Sequence, residues 1–231
     1  IKSNILFKYL ISIFLISFIS LLLIAQPDIG QTLLVIFCWA VLIFTSGINI
    51  YILLAIFIAG ASLLTYLIIY VPRFDYIQGR IFSFFNRETG THNFQSDKAI
   101  ESITSGGFFG KGIGEGVLKN RVPEAHTDYI ISVISEEFGV VAIMLILLLF
   151  LILIYMVFKK ISFETNDKVK LILIGSISLI LMQATIHVGV NIRLFPTTGM
   201  TLPFLSYGGS SIISTSILGG IILNLTKRKI T

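Results

Sequence analysis

The stretch YIISVISEEFGVVAIMLILLLFLILIYMVF, Tyr129 to Phe158, decides the fold. Beyond Glu137 it is apolar on every side of a helical projection, and Lys159-Lys160 closes it. A helix needs about 20 mainly apolar residues to cross the hydrocarbon core of a bilayer. This run supplies them without the alternation of a barrel strand. Five further windows pass the same test: Ile5 to Ile24, Gln31 to Ser46, Ile48 to Tyr70, Val169 to Val190 and Ser206 to Leu225. The expectation is an all-α polytopic membrane protein. It has six transmembrane helices in a single integral membrane domain over 1–231, with one large extracytoplasmic loop at 71–128.

Composition points the same way. Of 231 residues, 55% are hydrophobic and 13% charged, where a soluble domain carries about 25% charge; mean hydropathy is +0.94. These values exclude a water-soluble globular enzyme and a nucleic-acid-binding tail. The lone cysteine, Cys38, excludes an intramolecular disulfide and a cysteine-based metal cluster. The first span is long and is followed by no small-residue cleavage site, so it does not read as a signal peptide. The net charge of +5 resolves by side. Lys and Arg in short loops mark the cytoplasm. With Lys227-Arg228-Lys229 placed there, that side holds nine basic and two acidic residues, and the opposite side eight basic and ten acidic. The acids therefore gather on the outer face.

Four constellations on that face could carry chemistry. Arg121-Val122-Pro123-Glu124-Ala125-His126-Thr127-Asp128-Tyr129 sets two acids and a histidine just before a membrane helix. Asp128 there reads either as an N-cap, held ionised by backbone N–H groups and the helix dipole, or as a general base with a pKa raised by partial desolvation. Glu136 and Glu137 lie about two turns into the span, so they face a cavity or partner, or the span starts later. The run from Gly106 to Gly116 holds six glycines in eleven residues. No strand precedes it and no Lys-Ser/Thr pair closes it, which argues against a nucleotide loop and for close backbone packing or approach to a polar ligand. Finally, Pro196-Thr197-Thr198-Gly199 through Leu202-Pro203 to Ser206-Tyr207-Gly208-Gly209-Ser210-Ser211 places Pro and Gly at membrane depth, the mark of re-entrant backbone or of tight helix packing. Three histidines, His92, His126 and His187, are too scattered to point to a metal site.

Taken in order, Gln26-Pro27-Asp28-Ile29-Gly30, Ser105-Gly106-Gly107, Gly110-Lys111-Gly112-Ile113-Gly114, Pro123-Glu124-Ala125-His126-Thr127-Asp128, Glu136-Glu137-Phe138-Gly139 and the two outer motifs after Pro196 resemble the SEDS family, which contains FtsW, RodA and SpoVE. Glu124-Ala125-His126 and the paired Thr197-Thr198 resemble the FtsW branch more than the RodA branch. FtsW-type proteins have ten spans, so the resemblance implies that the six here correspond to the last six.

The resemblance implies a peptidoglycan glycosyltransferase that polymerises lipid II, an undecaprenyl-diphosphate-linked disaccharide-pentapeptide, at the outer face of the bacterial inner membrane during cell division. Asp128 matches the family's essential acid and would act as general base. Glu124, His126, Lys111, Lys119, Arg121, Thr197, Ser206 and Ser210 would bind substrate. Arg80 and Arg193 join Lys111, Lys119 and Arg121 as outer-side countercharge for the diphosphate, and a divalent cation, Mg or Mn, could share that role. The implied partners are a class B penicillin-binding protein transpeptidase and other division-complex membrane proteins. Departures from the family pattern stand at Lys98-Ala99, Asn86-Arg87, His187 and Arg193. A lipid II flippase and an inactive truncated scaffold of the division complex are the competing readings. The flippase needs charged residues near mid-span, where these windows carry few.

Overall fold

In a computed structural model of the chain, residues 2–85 and 91–227 are described, and among them every regular element is helical. The six apolar windows become six long helices: α1 (Lys2–Ala25), α2 (Ile29–Thr45), α3 (Ile50–Tyr70), α6 (Ile130–Phe163), α7 (Asp167–Asn191) and α8 (Gly209–Thr226). Between α3 and α6, two shorter helices, α4 (Asp75–Phe85) and α5 (Thr91–Gly106), occupy much of the segment read as one long loop. Helices α3, α6, α7 and α8 are each long and apolar enough to cross a membrane; Tyr9–Ala25 within α1 and the 17 residues of α2 are apolar but shorter. At about 1.5 Å per residue, α2 reaches roughly 26 Å, near the lower limit for a span. The chain is a multi-pass membrane protein.

Short polar side chains start these helices where the chain leaves the apolar layer. Asp28 accepts from the Gln31 amide at 2.9 Å, Asn49 from Tyr51 at 2.9 Å and Asn166 from Lys168 at 3.0 Å. Each satisfies an amide that has no partner inside its helix. Helix α7 is the buried axis of the bundle, packed by α2, α6 and α8. Toward one end Leu173, Ile177 and Ile180 of α7 meet Val157 of α6 and Ile222 of α8. Toward the other end Ile186 and Val190 meet Leu34, Val122, Tyr129 and Met200. Helix α3 buries none of its residues and stands at the edge.

Two features depart from the sequence reading. Helix α6 begins at Ile130 with Tyr129 in the capping position and no side-chain cap bond, so Asp128 is not an N-cap. Helix α6 is also broken at Gly139, whose φ of 76° lies in the left-handed region. Before the break Ile131 packs with Ala184 of α7 and Leu202.

The glycine run fills that break. Val140 and Val141 donate their amides to the Gly107 and Phe108 carbonyls, at 3.0 and 3.2 Å. Lys111 and Gly112 donate theirs to the Glu136 and Glu137 carbonyls, at 2.9 and 3.0 Å. Groups freed by the break are thus paired by the loop. Approach this close needs glycine: a Cβ at Gly106 would lie 1.9 Å from the Ser135 carbonyl oxygen, and one at Gly139 2.2 Å from that of Phe108. Glu136, fully buried, completes the junction. It accepts from the Val117 and Leu118 amides at 3.0 Å each, the Ser102 hydroxyl at 3.1 Å and the Lys111 ammonium at 3.3 Å. This decides between the two sequence readings of that acid: it is a buried carboxylate paired to the loop, not an interfacial one.

Replacing Gly139 by Ala should therefore destabilise the protein by about 2 kcal/mol or more, because strained φ and backbone collision act together. Gly60→Ala, in α3 with open space around it, should be neutral or stabilising by about 0.5–1 kcal/mol. Unfolding of the two variants in the same detergent checks the contrast.

Candidate active site

Residues Glu124 to Tyr129 form a tight turn whose backbone is tied from both sides. Glu124 sits at φ 53°, and its carbonyl accepts the amides of Thr127, Asp128 and Tyr129, at 3.1, 3.1 and 3.3 Å. Three consecutive carbonyls then face outward, each to a different partner. His126 accepts from the Tyr207 amide at 2.9 Å, Thr127 from the Ser206 hydroxyl at 2.6 Å and Asp128 from the Asn191 amide group at 3.0 Å.

The segment between α7 and α8, residues 192–208, is held by the same helix. Gln183, His187 and Asn191 recur every fourth residue along α7, so they share one face. Gln183 donates to the Thr201 carbonyl at 3.0 Å and its hydroxyl at 3.1 Å. His187 Nδ1 lies 2.7 Å from the Met200 carbonyl, which can only accept, so the proton is on Nδ1. Asn191 bridges the His187 and Asp128 carbonyls. The turn at Gly30 presses on the segment from the other side: a Cβ there would lie 2.9 Å from Met200 and 3.0 Å from Thr198.

This framework encloses a cavity of about 410 Å³ at the end of the bundle. Asp128 and Glu124 enter it from the turn, Arg80 from α4, Gln95 from α5, and Thr197 and Gly199 from the 192–208 segment. A Cβ at Gly199 would lie 3.6 Å from Asp128 Oδ2, so its bare backbone is what the carboxylate meets on that side. Arg80 is aimed by a 3.1 Å hydrogen bond from Nη1 to the Thr197 carbonyl and lies over the Tyr76 ring.

The electrostatics settle which of two opposing effects governs Asp128. Burial, the larger cause, raises its pKa above the ordinary aspartate value, and the neighbouring Glu124 carboxylate raises it further. A hydrogen bond from Thr127 and the charge of Arg80 pull it back only in part. With no cap bond from helix amides, desolvation wins.

The other residues expected to bind substrate divide. Thr197 and Glu124 line the cavity. Lys111 is turned to Glu136 in the glycine loop, and Arg193 pairs with Asp97. Ser206 is buried, donating to Thr127 while accepting from the Leu202 amide at 2.8 Å, so it builds the turn. His126 and Arg121 are exposed, and it is the His126 carbonyl that the fold uses. Ser210 is exposed at the start of α8, outside the cavity lining. The Lys119 side chain, like that of His92, lies outside the described residues. Gly199 belongs to a motif the sequence marks, whereas Gln95 and Asn191 carry no sequence signal strong enough to single them out, although the four-residue spacing of Gln183, His187 and Asn191 was available.

For a divalent cation the donor set is thin. Among the described residues no three His, Cys, Asp or Glu side chains group as a cage. Two carboxylates on one cavity fit a cation shared with a substrate's phosphates, the usual manner of Mg²⁺, rather than a cage made by protein alone.

Ser206→Ala should cost about 1–3 kcal/mol, since it strands a carbonyl and an amide in a buried turn, whereas Ser210→Ala should change stability by less than about 0.5 kcal/mol. Thermal unfolding of both variants separates a turn-building serine from an exposed one.

The sequence model of the cell cycle protein family FtsW/RodA/SpoVE matches residues 2–230. The probable peptidoglycan glycosyltransferase FtsW of Caulobacter vibrioides (strain NA1000 / CB15N) is 35% identical over 223 residues, 94% of this chain and 55% of that protein. The protein of the same description from Francisella salina is 37% identical over 221 residues, 91% of this chain and 53% of its own. A solved chain from work on structural coordination of polymerization and crosslinking by a peptidoglycan synthase complex superposes with a TM-score of 0.74 at 27% identity, covering 96% of this chain and 63% of that one. The chain thus spans just over half the length of these two curated relatives. With its motifs in order and its fold shared, the chain belongs to the FtsW/RodA/SpoVE family.

Proposed function

We propose that the protein is a peptidoglycan glycosyltransferase that polymerises lipid II into glycan strands during cell division, with Asp128 as general base. The observation that carries this reading is the Asp128 carboxyl, partly desolvated and held by its backbone, in a cavity that also contains Arg80. A base works best when its pKa approaches the operating pH, and the environment of Asp128 moves it in that direction. The relatives' printed descriptions and the synthase complex support the substrate class.

In this mechanism Asp128 takes the proton from the acceptor sugar's 4-hydroxyl. The oxygen forms a bond to the anomeric carbon of the donor. The bond from that carbon to the diphosphate breaks, and undecaprenyl diphosphate leaves with the electron pair. Arg80, already oriented by Thr197, faces the negative charge that develops on the leaving group. Glu124, at the rim, would hold a Mg or Mn ion shared with the diphosphate, and that ion would neutralise leaving-group charge. The cavity end of the bundle faces the outside of the bacterial inner membrane, with the C-terminus cytoplasmic. A class B penicillin-binding protein is the transpeptidase partner, within a complex of division proteins. Against transport, the described membrane helices bury one charged side chain, Glu136, and it is bonded to the glycine loop rather than aligned along a path.

In a lipid II polymerisation assay with the full-length protein and its partner, Asp128→Asn should lower the rate by about 10²-fold or more while leaving the unfolding temperature near that of the parent. Strands formed at the parent rate would refute the base assignment. Lipid II translocation in sealed vesicles without polymerisation would favour the flippase. The pH profile gives an independent check. The base acts deprotonated and its pKa is raised, so activity should fall with decreasing pH through a midpoint above the ordinary aspartate range. Glu124→Gln removes one raising cause and should move that midpoint to lower pH, yet not to the ordinary value, because burial persists.

A further inference from the structure

We propose that the apolar tip of the glycine loop, formed by Phe108, Phe109 and Ile113, is seated in the interfacial layer and outermost acyl chains of the leaflet on the cavity side. Three observations carry this. The first is exposure: Phe108, Phe109 and Ile113 are 75%, 85% and 78% exposed, and Val117 is 61% exposed. A run of large apolar side chains this bare is a contact surface rather than a solvated loop.

The second is depth. The loop cannot ride up or down, because its backbone is bonded into the α6 break through Gly107, Phe108, Lys111 and Gly112. Its level is therefore that of residues 136–141. From Val140 the sequence is apolar as far as Phe158, apart from the Tyr155 hydroxyl, and Lys159 follows. That length is the ~20 residues a hydrocarbon core requires, so Val140 marks one edge of the core and the loop lies at that edge. Aromatic side chains at such an edge anchor membrane proteins.

The third is continuity. Next to the loop, α6 exposes Phe138, Val140, Val141, Met144 and Leu145, and this face runs down the span. The lipid that covers α6 extends onto the loop without a polar boundary. Lys111 adds no charge to the apolar tip, because its ammonium is directed inward to Glu136. The consequence is mechanical: the end of the bundle that carries the cavity is moored at headgroup level, where a lipid-linked substrate presents its head.

The test is independent of catalysis. In the full-length protein, with Cys38→Ala and any other cysteines removed, a nitroxide is attached through Phe109→Cys or, as a control on the same loop, through exposed Glu115→Cys. After reconstitution in lipid nanodiscs, relaxation by oxygen is compared with relaxation by a water-soluble nickel chelate. The ratio of oxygen to nickel accessibility should be several-fold higher at position 109 than at 115. A nickel accessibility at 109 equal to that at 115 would make the loop aqueous and overturn the proposal. Exclusion of both reagents would assign the patch to a protein partner and overturn it equally. Phe108→Cys provides a second site should the first variant fold poorly.

Discussion

Backbone that is not helical must still pair every N–H and C=O when it lies at the edge of a bilayer, and this structure is organised by that requirement. Two places need it. Helix α6 breaks at Gly139, and the chain between α7 and α8 runs without helix over residues 192–208. The first is met by the glycine loop, whose carbonyls and amides complete the interrupted ladder. The second is met in part by the polar face of α7, where Gln183 and His187 reach the backbone at Thr201 and Met200, while Asn191 holds the Asp128 carbonyl. Buried polar side chains are costly unless they are bonded. Here the bonds of α7 hold irregular backbone that lines a cavity, which a membrane bundle tolerates.

The placement of Asp128 follows from that framework. Its side chain is fixed through main-chain contacts at three successive residues, so the cavity itself is left free for a ligand. Because no helix amide caps it, the carboxylate lacks the stabilisation a helix N-terminus offers, and burial together with the Glu124 charge outweighs the Thr127 hydrogen bond and the Arg80 charge. Arg80 is close enough to temper the shift and is oriented by a carbonyl rather than by the carboxylate. The arrangement keeps a base and a cation in one cavity without letting them neutralise each other in a tight ion pair.

The long-range plan was legible in the residues. Six apolar windows became six long helices, with ends shifted by a few residues where Asp28, Asn49 and Asn166 cap them. The site was legible only in part. Glu124, Asp128 and Thr197 stand out because charge or a Pro-Gly context marks them. Ser206 and Ser210 share a motif, yet one is buried in a turn and the other is exposed at the start of α8, a difference no local pattern shows. Lys111 looked like free countercharge because nothing local shows that Glu136, distant in sequence, lies beneath it. The break at Gly139, at the edge of the apolar run just after Glu136-Glu137-Phe138, was not legible, since one glycine there signals a kink only when a second segment arrives to pair the freed groups.

The account stands on a carboxyl at Asp128 that stays protonated to higher pH than an ordinary aspartate. Infrared difference titration of the full-length protein in lipid, with Asp128→Asn as the reference, reads that carboxyl directly through its protonated C=O band. The account predicts a band that is absent from the variant and disappears only at a pH above the usual aspartate range. A band that disappears within that range would contradict it.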